Sequence, residues 1–172
     1  MDDSDTGHAS TVVMMREPAW HPSPKARLLW AAGAALMWLP VVIAQVVWVV
    51  VAPVAPVWHL VAAAATVVLA GPHIGVVPFW RYRVHRWEID DTAVYTRSGW
   101  WTQERRIAPI SRIQTVDTER GPLDRWLGLA TVTVTTASAA GAVRIAALDR
   151  DVADETVARL TALAATAEAD AT

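Results

Sequence analysis

The sequence predicts an α+β membrane protein: a two-helix transmembrane hairpin, then an antiparallel β-sandwich or barrel capped by a C-terminal helix. Three observations carry that reading. From Leu28 to Trp80 there is no Asp, Glu, Lys or Arg. Short alternating apolar and polar runs follow, separated by turn residues. The chain then closes on an amphipathic stretch of helical period.

The apolar stretch is about fifty residues long, and a bilayer core is crossed by roughly 20 apolar helical residues, so it suffices for two crossings. Its middle, Ala52-Pro53-Val54-Ala55-Pro56, holds two prolines three apart. Each removes a backbone donor and pushes the preceding residue away from helix. The expected spans are therefore about 28–51 and 57–77, within a hairpin unit of 24–80. A soluble protein of this length could not bury two wholly apolar helices. A cleavable signal sequence is excluded because the run is too long and a second span follows it.

Arg16, Lys25 and Arg27 precede the first span, Arg81, Arg83 and Arg86 follow the second, and the turn between the spans is uncharged. Lys and Arg concentrate on cytoplasmic flanks. The expectation is a multi-pass protein of the cytoplasmic (plasma) membrane with both termini in the cytoplasm. Trp30, Trp58 and Trp80 fall near span ends, where indole suits the headgroup boundary. Trp38 and Trp48 lie deeper, facing lipid or packing. Gln45 is expected to hydrogen-bond to a neighbouring helix. His59 and His73 sit near opposite ends of the second span, about 21 Å apart along it, too far to share a metal, and both are expected at the interface.

The leader, residues 1–23, is polar with Asp2, Asp3 and Asp5 at its start and has no apolar period; it reads as a disordered cytoplasmic tail. Met14-Met15 offers an alternative start. From Arg81 the expected soluble domain spans 81–167, with a short tail at 168–172. Its strands are Val84–Ile89, Ala93–Arg97, Thr102–Ile107, Ile110–Val116, Ala130–Thr135 and Val143–Leu148, six or seven in all. Asp90-Asp91, Ser98-Gly99, Gly121-Pro122 and Ser138–Gly141 are the turns between them. In Ala130–Thr135 the valines should face inward and the threonines outward. The final helix is capped by Asp149 or Asp151. Its apolar face is Val152, Val157, Leu160, Leu163 and Ala164, with Glu155 and Arg159 spaced as an i,i+4 pair. Strands closed by one such helix are the architecture of pleckstrin-homology-like folds.

Particular residues sharpen this. Trp87-Glu88-Ile89-Asp90, then Val94–Gly99, then Arg106–Gln114, and above all Gly121–Ala130 with Arg125-Trp126-Leu127-Gly128, resemble the bacterial PH-like domain. With two spans immediately upstream, the chain resembles YdbS-like membrane proteins from about Pro22 to about Ala165. The resemblance implies assembly, with another copy or another PH-like-domain membrane protein as partner. On physical grounds the Arg125–Gly128 motif reads as structural: Leu123, Trp126 and Leu129 are spaced for one helical turn that buries them, and Gly128 permits the turn into the next strand. Arg125 would pair with Glu119 or reach a lipid phosphate.

Chemistry is sparse. There is no cysteine, hence no disulfide, thiolate metal site or cysteine nucleophile. No phosphate loop, HExxH or Gly-x-Ser-x-Gly occurs, so a non-enzymatic protein without cofactor or metal is expected. The net charge of -2 argues against a nucleic-acid partner. Two features suit binding. Trp100-Trp101 beside Arg105 and Arg106 form a candidate membrane or partner surface at a hairpin tip. Arg81, Arg83 and Arg86 are candidate juxtamembrane contacts to membrane lipids. The expected function is an interaction module at the cytoplasmic face; the alternatives are a small transporter or channel component, and a lipid-headgroup-binding protein.

Overall fold

The computed structural model describes residues 17–53, 56–99, 101–137 and 141–169. Two long apolar helices, α1 (Ala26–Val51) and α2 (Pro56–Gly75), form an antiparallel pair. After a break at Val76, a short helix α3 (Val77–Val84) continues the second. The break precedes Pro78, yet Val76 N–H still donates to Pro72 O at 2.8 Å and Trp80 N–H to Val76 O at 3.1 Å. The 29 residues from Pro56 to Val84 thus act as one rod, about 44 Å long, against a hydrocarbon core of about 30 Å. Its end must emerge, and Arg81 and Arg83 lie on that emerging end. The soluble domain therefore does not begin at Arg81, as the alternation from Val84 had implied; residues 81–84 are still helical.

Then come β1 (Arg86–Ile89), β2 (Ala93–Ser98) and β3 (Glu104–Pro109), forming one antiparallel sheet in that order. A 3-10 turn over Ile110–Arg112 leads to β4 (Ile113–Glu119), α4 (Pro122–Leu127), β5 (Leu129–Thr136) and β6 (Val143–Asp149). The last three strands form the second sheet, β4-β5-β6. Helix α5 (Arg150–Ala169) packs across the second sheet and the 3-10 turn. The sandwich is the expected one, with six strands among the described residues.

Its core follows the strand period of two. Trp87, Ile89 and Val94 face Val132, Val134, Val143, Ile145 and Leu148, with Leu160 of α5 closing the end. In β5 the valines point inward and Thr131, Thr133 and Thr135 are half-buried, as the alternation predicted. The helix face is largely the expected one, with Leu160 buried and Val157, Leu163 and Ala164 packed on the core. Ala153 and Thr156 are buried as well, whereas Val152 is exposed; Arg159 reaches Asp91 at 3.9 Å rather than Glu155.

The expected disordered tail also needs correction. Residues 1–16 lie outside the described residues, but 17–23 are docked on the domain. Trp20 forms an antiparallel bridge with Trp87, N–H to O at 3.0 and 2.8 Å, and their rings meet edge to face at 4.9 Å. Ser23 N–H donates to Ala147 O at 2.9 Å, and Lys25 Nζ lies 3.1 Å from Asp149. Ala147 has φ 56°, a left-handed conformation costing a non-glycine residue about 1–2 kcal/mol. It sits near a register shift in the β5–β6 pairing. A second cluster, Ala26, Leu129 and Ala147 with Leu29, Trp30, Tyr82 and Leu127, joins hairpin to sandwich. Hairpin and domain are welded without a linker.

Candidate functional site

Within the hairpin, polar side chains form three rungs between the helices. Trp38 Nε1 donates to His73 Nδ1 at 3.0 Å. Gln45 Nε2 donates to Thr66 Oγ1 at 2.5 Å. His59 Nε2 donates to Ala52 O at 2.8 Å, its ring edge-on to Trp48 at 4.3 Å. Gln45 behaves as expected, although its partner helix belongs to the same hairpin. The histidines do not simply sit at the interface: each ties one helix to the other or to the turn. A hydrogen-bonded polar group is the tolerated form of polarity in hydrocarbon.

Where the hairpin meets the domain, cations and rings alternate. The Arg81 guanidinium lies 4.5 Å over Trp30, and that of Arg27 lies 5.0 Å over Tyr82 and 5.5 Å over Phe79. Such stacking lets a cation stay near the low-dielectric boundary. His85 closes this belt from the domain side. It is buried, meets the Trp30 ring at a tilt with centroids 4.9 Å apart and donates from Nδ1 to Arg81 O at 2.8 Å. Burial pulls its pKa down to about 4, with the Arg81 charge adding to the effect and the backbone hydrogen bond opposing it. His21 stacks on Tyr82 at 5.5 Å, and burial followed by Arg86 and Arg97 lowers its pKa too.

The three juxtamembrane arginines thus have three different settings. Arg83 is exposed, Arg81 is half-buried on Trp30, and Arg86 turns into the domain with a buried Nε. Of the three, Arg83 is the most exposed, and Arg86 is half-buried against the domain. Sequence reading missed Arg27, Phe79, Tyr82 and His85 as belt members, although Arg27 and Tyr82 flank the spans visibly.

At the β2–β3 tip, Gly99 takes φ 105°, and an added Cβ would stand 1.9 Å from Thr102 O, so only glycine fits. Trp100 lies outside the described residues. Trp101 is 86% exposed. Arg105 approaches Glu17 at 3.9 Å, which also pairs with Arg97 at 2.6 Å. Arg106 pairs with Glu104 at 3.3 Å and donates to Ala142 O at 3.1 Å. The arginines expected to join the tryptophans in a basic patch are engaged within the domain.

The Arg125–Gly128 motif forms α4 and its cap, with Gly128 left-handed at φ 70°. Arg125 is exposed and donates to Arg120 O at 3.3 Å, while Glu119 pairs with Arg144 at 2.6 Å. The expected Arg125–Glu119 pair is absent. Leu129 is buried, but Trp126 is 81% exposed, so the expected three-residue core turn does not form.

The domain also carries a groove of about 370 Å³ between the edge strand β1 and α5. Trp20, Trp87, Ile89 and Val152 line it, with Glu155, Thr156 and Arg159. Among the described residues no group of three or more His, Asp and Glu is placed to hold a metal ion.

Comparison with known proteins agrees with this architecture. The chain is 43% identical over 75 residues to the UPF0699 transmembrane protein YdbS of Bacillus subtilis (strain 168), a match covering 44% of this chain and 43% of that protein. The matched region is thus less than half of the relative's length. No solved structure matches. The family model described as Bacterial PH domain matches residues 28–164, which takes in both the apolar hairpin and the sandwich: the chain belongs to the bacterial PH domain family and is a YdbS-like membrane protein.

Proposed function

We propose that this protein is a non-enzymatic assembly module. It crosses the plasma membrane twice with both termini in the cytoplasm, and its PH-like domain binds another copy or another PH-like-domain membrane protein. The weld between hairpin and domain is the observation that carries this reading. Ser23, Lys25 and the cluster around Leu129 fix the sandwich to the ends of the helices. Its groove and hairpin tip are thereby held at a fixed height over the bilayer. A protein surface held this way presents a partner site with little orientational freedom left to lose on binding. The groove joins an apolar floor to a charged rim, the pattern of a protein interface. The cation–ring belt favours lipid-headgroup contact as a second reading. Transport has less support, because Gln45, Thr66, Trp38 and His73 are spent on each other.

The test is a pull-down of the tagged full-length chain from detergent-solubilised membranes. Three forms are compared: the natural chain, the Trp100→Ala, Trp101→Ala double variant, and Val152→Arg in the groove. A discrete homo-oligomer, or a second PH-like membrane protein, should be recovered with the natural chain and lost in one variant. A monomer that recovers only lipid would sink the assembly reading.

A further inference from the structure

Trp126 is 81% exposed on a motif whose sequence looked purely structural. Helical spacing accounts for its exposure. On α4, Leu123 and Leu127 are four apart and half-buried against the domain, whereas Pro122 and Trp126, also four apart, form the opposite, exposed row with Arg125 beside it. Nothing in the fold of the domain requires an indole there.

The height of α4 is set by its packing. Leu127 belongs to the cluster that includes Ala26, Leu29, Trp30 and Tyr82, so α4 lies beside the first turn of α1. That turn is also the level of the belt, where Arg27 and Arg81 stack on Phe79, Tyr82 and Trp30. Leu28, Phe79 and Trp80 are exposed at the same level and belong to the apolar hairpin. Cations stacked on rings at the end of an apolar hairpin mark the headgroup zone.

We propose that Trp126 is a membrane-inserting side chain: α4 rests on the bilayer beside the hairpin and seats this indole in the headgroup region of the leaflet facing the domain. Indole joins an apolar body to one N–H donor and is favoured in that zone. Arg125 and Arg120 lie on or next to α4, and cations near the membrane surface are attracted to anionic lipid. The neighbouring carboxylates are partnered within the protein, Glu119 by Arg144 at 2.6 Å. Asp124 accepts from Gly121 N–H at 2.9 Å, and Asp149 pairs with Lys25 at 3.1 Å. The lipid surface is continuous with the one the hairpin already occupies, which favours lipid over a protein partner. With Trp126 seated, the domain has a foothold on the membrane separate from the helices. This inference needs only the membrane placement of the hairpin and stands apart from the assembly reading.

The chain has no cysteine, so single labels are introduced without background. Trp126→Cys, carrying a nitroxide, is reconstituted as the full chain in vesicles of mixed zwitterionic and anionic phospholipid. Asp91→Cys serves as the water-facing control, since the Asp91 side chain is 88% exposed in the β1–β2 turn. The label at 126 should be several-fold less accessible to a water-soluble nickel chelate than the label at 91, while remaining accessible to oxygen. Equal nickel accessibility at the two positions would overturn the proposal. So would protection at 126 that disappears when the reconstituted chain is diluted with excess lipid, because the shield would then be a second copy. Protection that survives dilution supports insertion into lipid.

Discussion

The hairpin and the sandwich use the same residue types in opposite arrangements. In the sandwich Leu129 and Leu160 are fully buried, whereas in the hairpin Val50 is 74% and Leu60 71% exposed. Conversely, Gln45, Thr66 and His73 lie half-buried between the helices, while the outward residues of the sandwich are mostly charged or hydroxylated. The difference teaches that burial is defined by the solvent. Water drives apolar area inward. Hydrocarbon offers no such drive between helices and instead penalises unpaired polar groups. The domain is therefore held by volume, and the hairpin by a few directed bonds.

The comparison breaks if equivalent truncations cost the same in both regions. Leu160→Ala removes a fully buried side chain and should destabilise the domain by about 3 kcal/mol, read by urea unfolding in mild detergent. Leu60→Ala, facing lipid, should change the same midpoint by less than about 0.5 kcal/mol.

A smaller effect comes from the boundary between the regions. The pKa of His85 falls to about 4 in the folded chain, from 6.5 ordinarily. Between those values the unfolded chain binds a proton that the native chain refuses. Stability should therefore be complete above the ordinary value and fall as pH drops toward the native one. The loss should be about 2 kcal/mol after allowing for partial screening. Thermal melts across this range should show the slope, and His85→Phe, which keeps a ring against Trp30, should flatten it. A slope unchanged in that variant would assign the pH response to other groups.

The smallest effect tests the rungs. Gln45→Leu removes the bond to Thr66 without leaving a buried amide, and intramembrane hydrogen bonds contribute about 0.6 kcal/mol on average. Energy transfer between labels on the two helices, followed through denaturing detergent, should show a loss of that order. No measurable loss would mean that the hairpin, too, is held mainly by packing.

Much of the fold was legible because it is local. Charge-free length between Leu28 and Trp80 marks the spans, and the inward valines of β5 follow from strand period alone. The site was less legible. Trp101 is exposed as its place in a turn implied, but Arg106 is drawn to Ala142 O and Glu104, and the position of Ala142 beside it depends on how the two sheets stack. Arg86 sits in the same basic run as Arg83, yet one turns inward and the other outward. That choice arises where helix period gives way to strand period at His85.

By itself, then, the amino-acid order determined the membrane hairpin, the two strand sets and the closing helix, since each depends on period and composition within a short window. Tertiary structure alone decided that residues 17–23 dock on β1 and β6, that His85 is buried beside Trp30, and that α4 shows Trp126 outward. Each of these depends on residues far apart in the chain: Trp20 and Trp87, Ser23 and Ala147, Leu127 and Leu29. A local pattern states which side of an element is apolar. Only the packed chain settles which of several apolar residues meets protein and which meets the membrane.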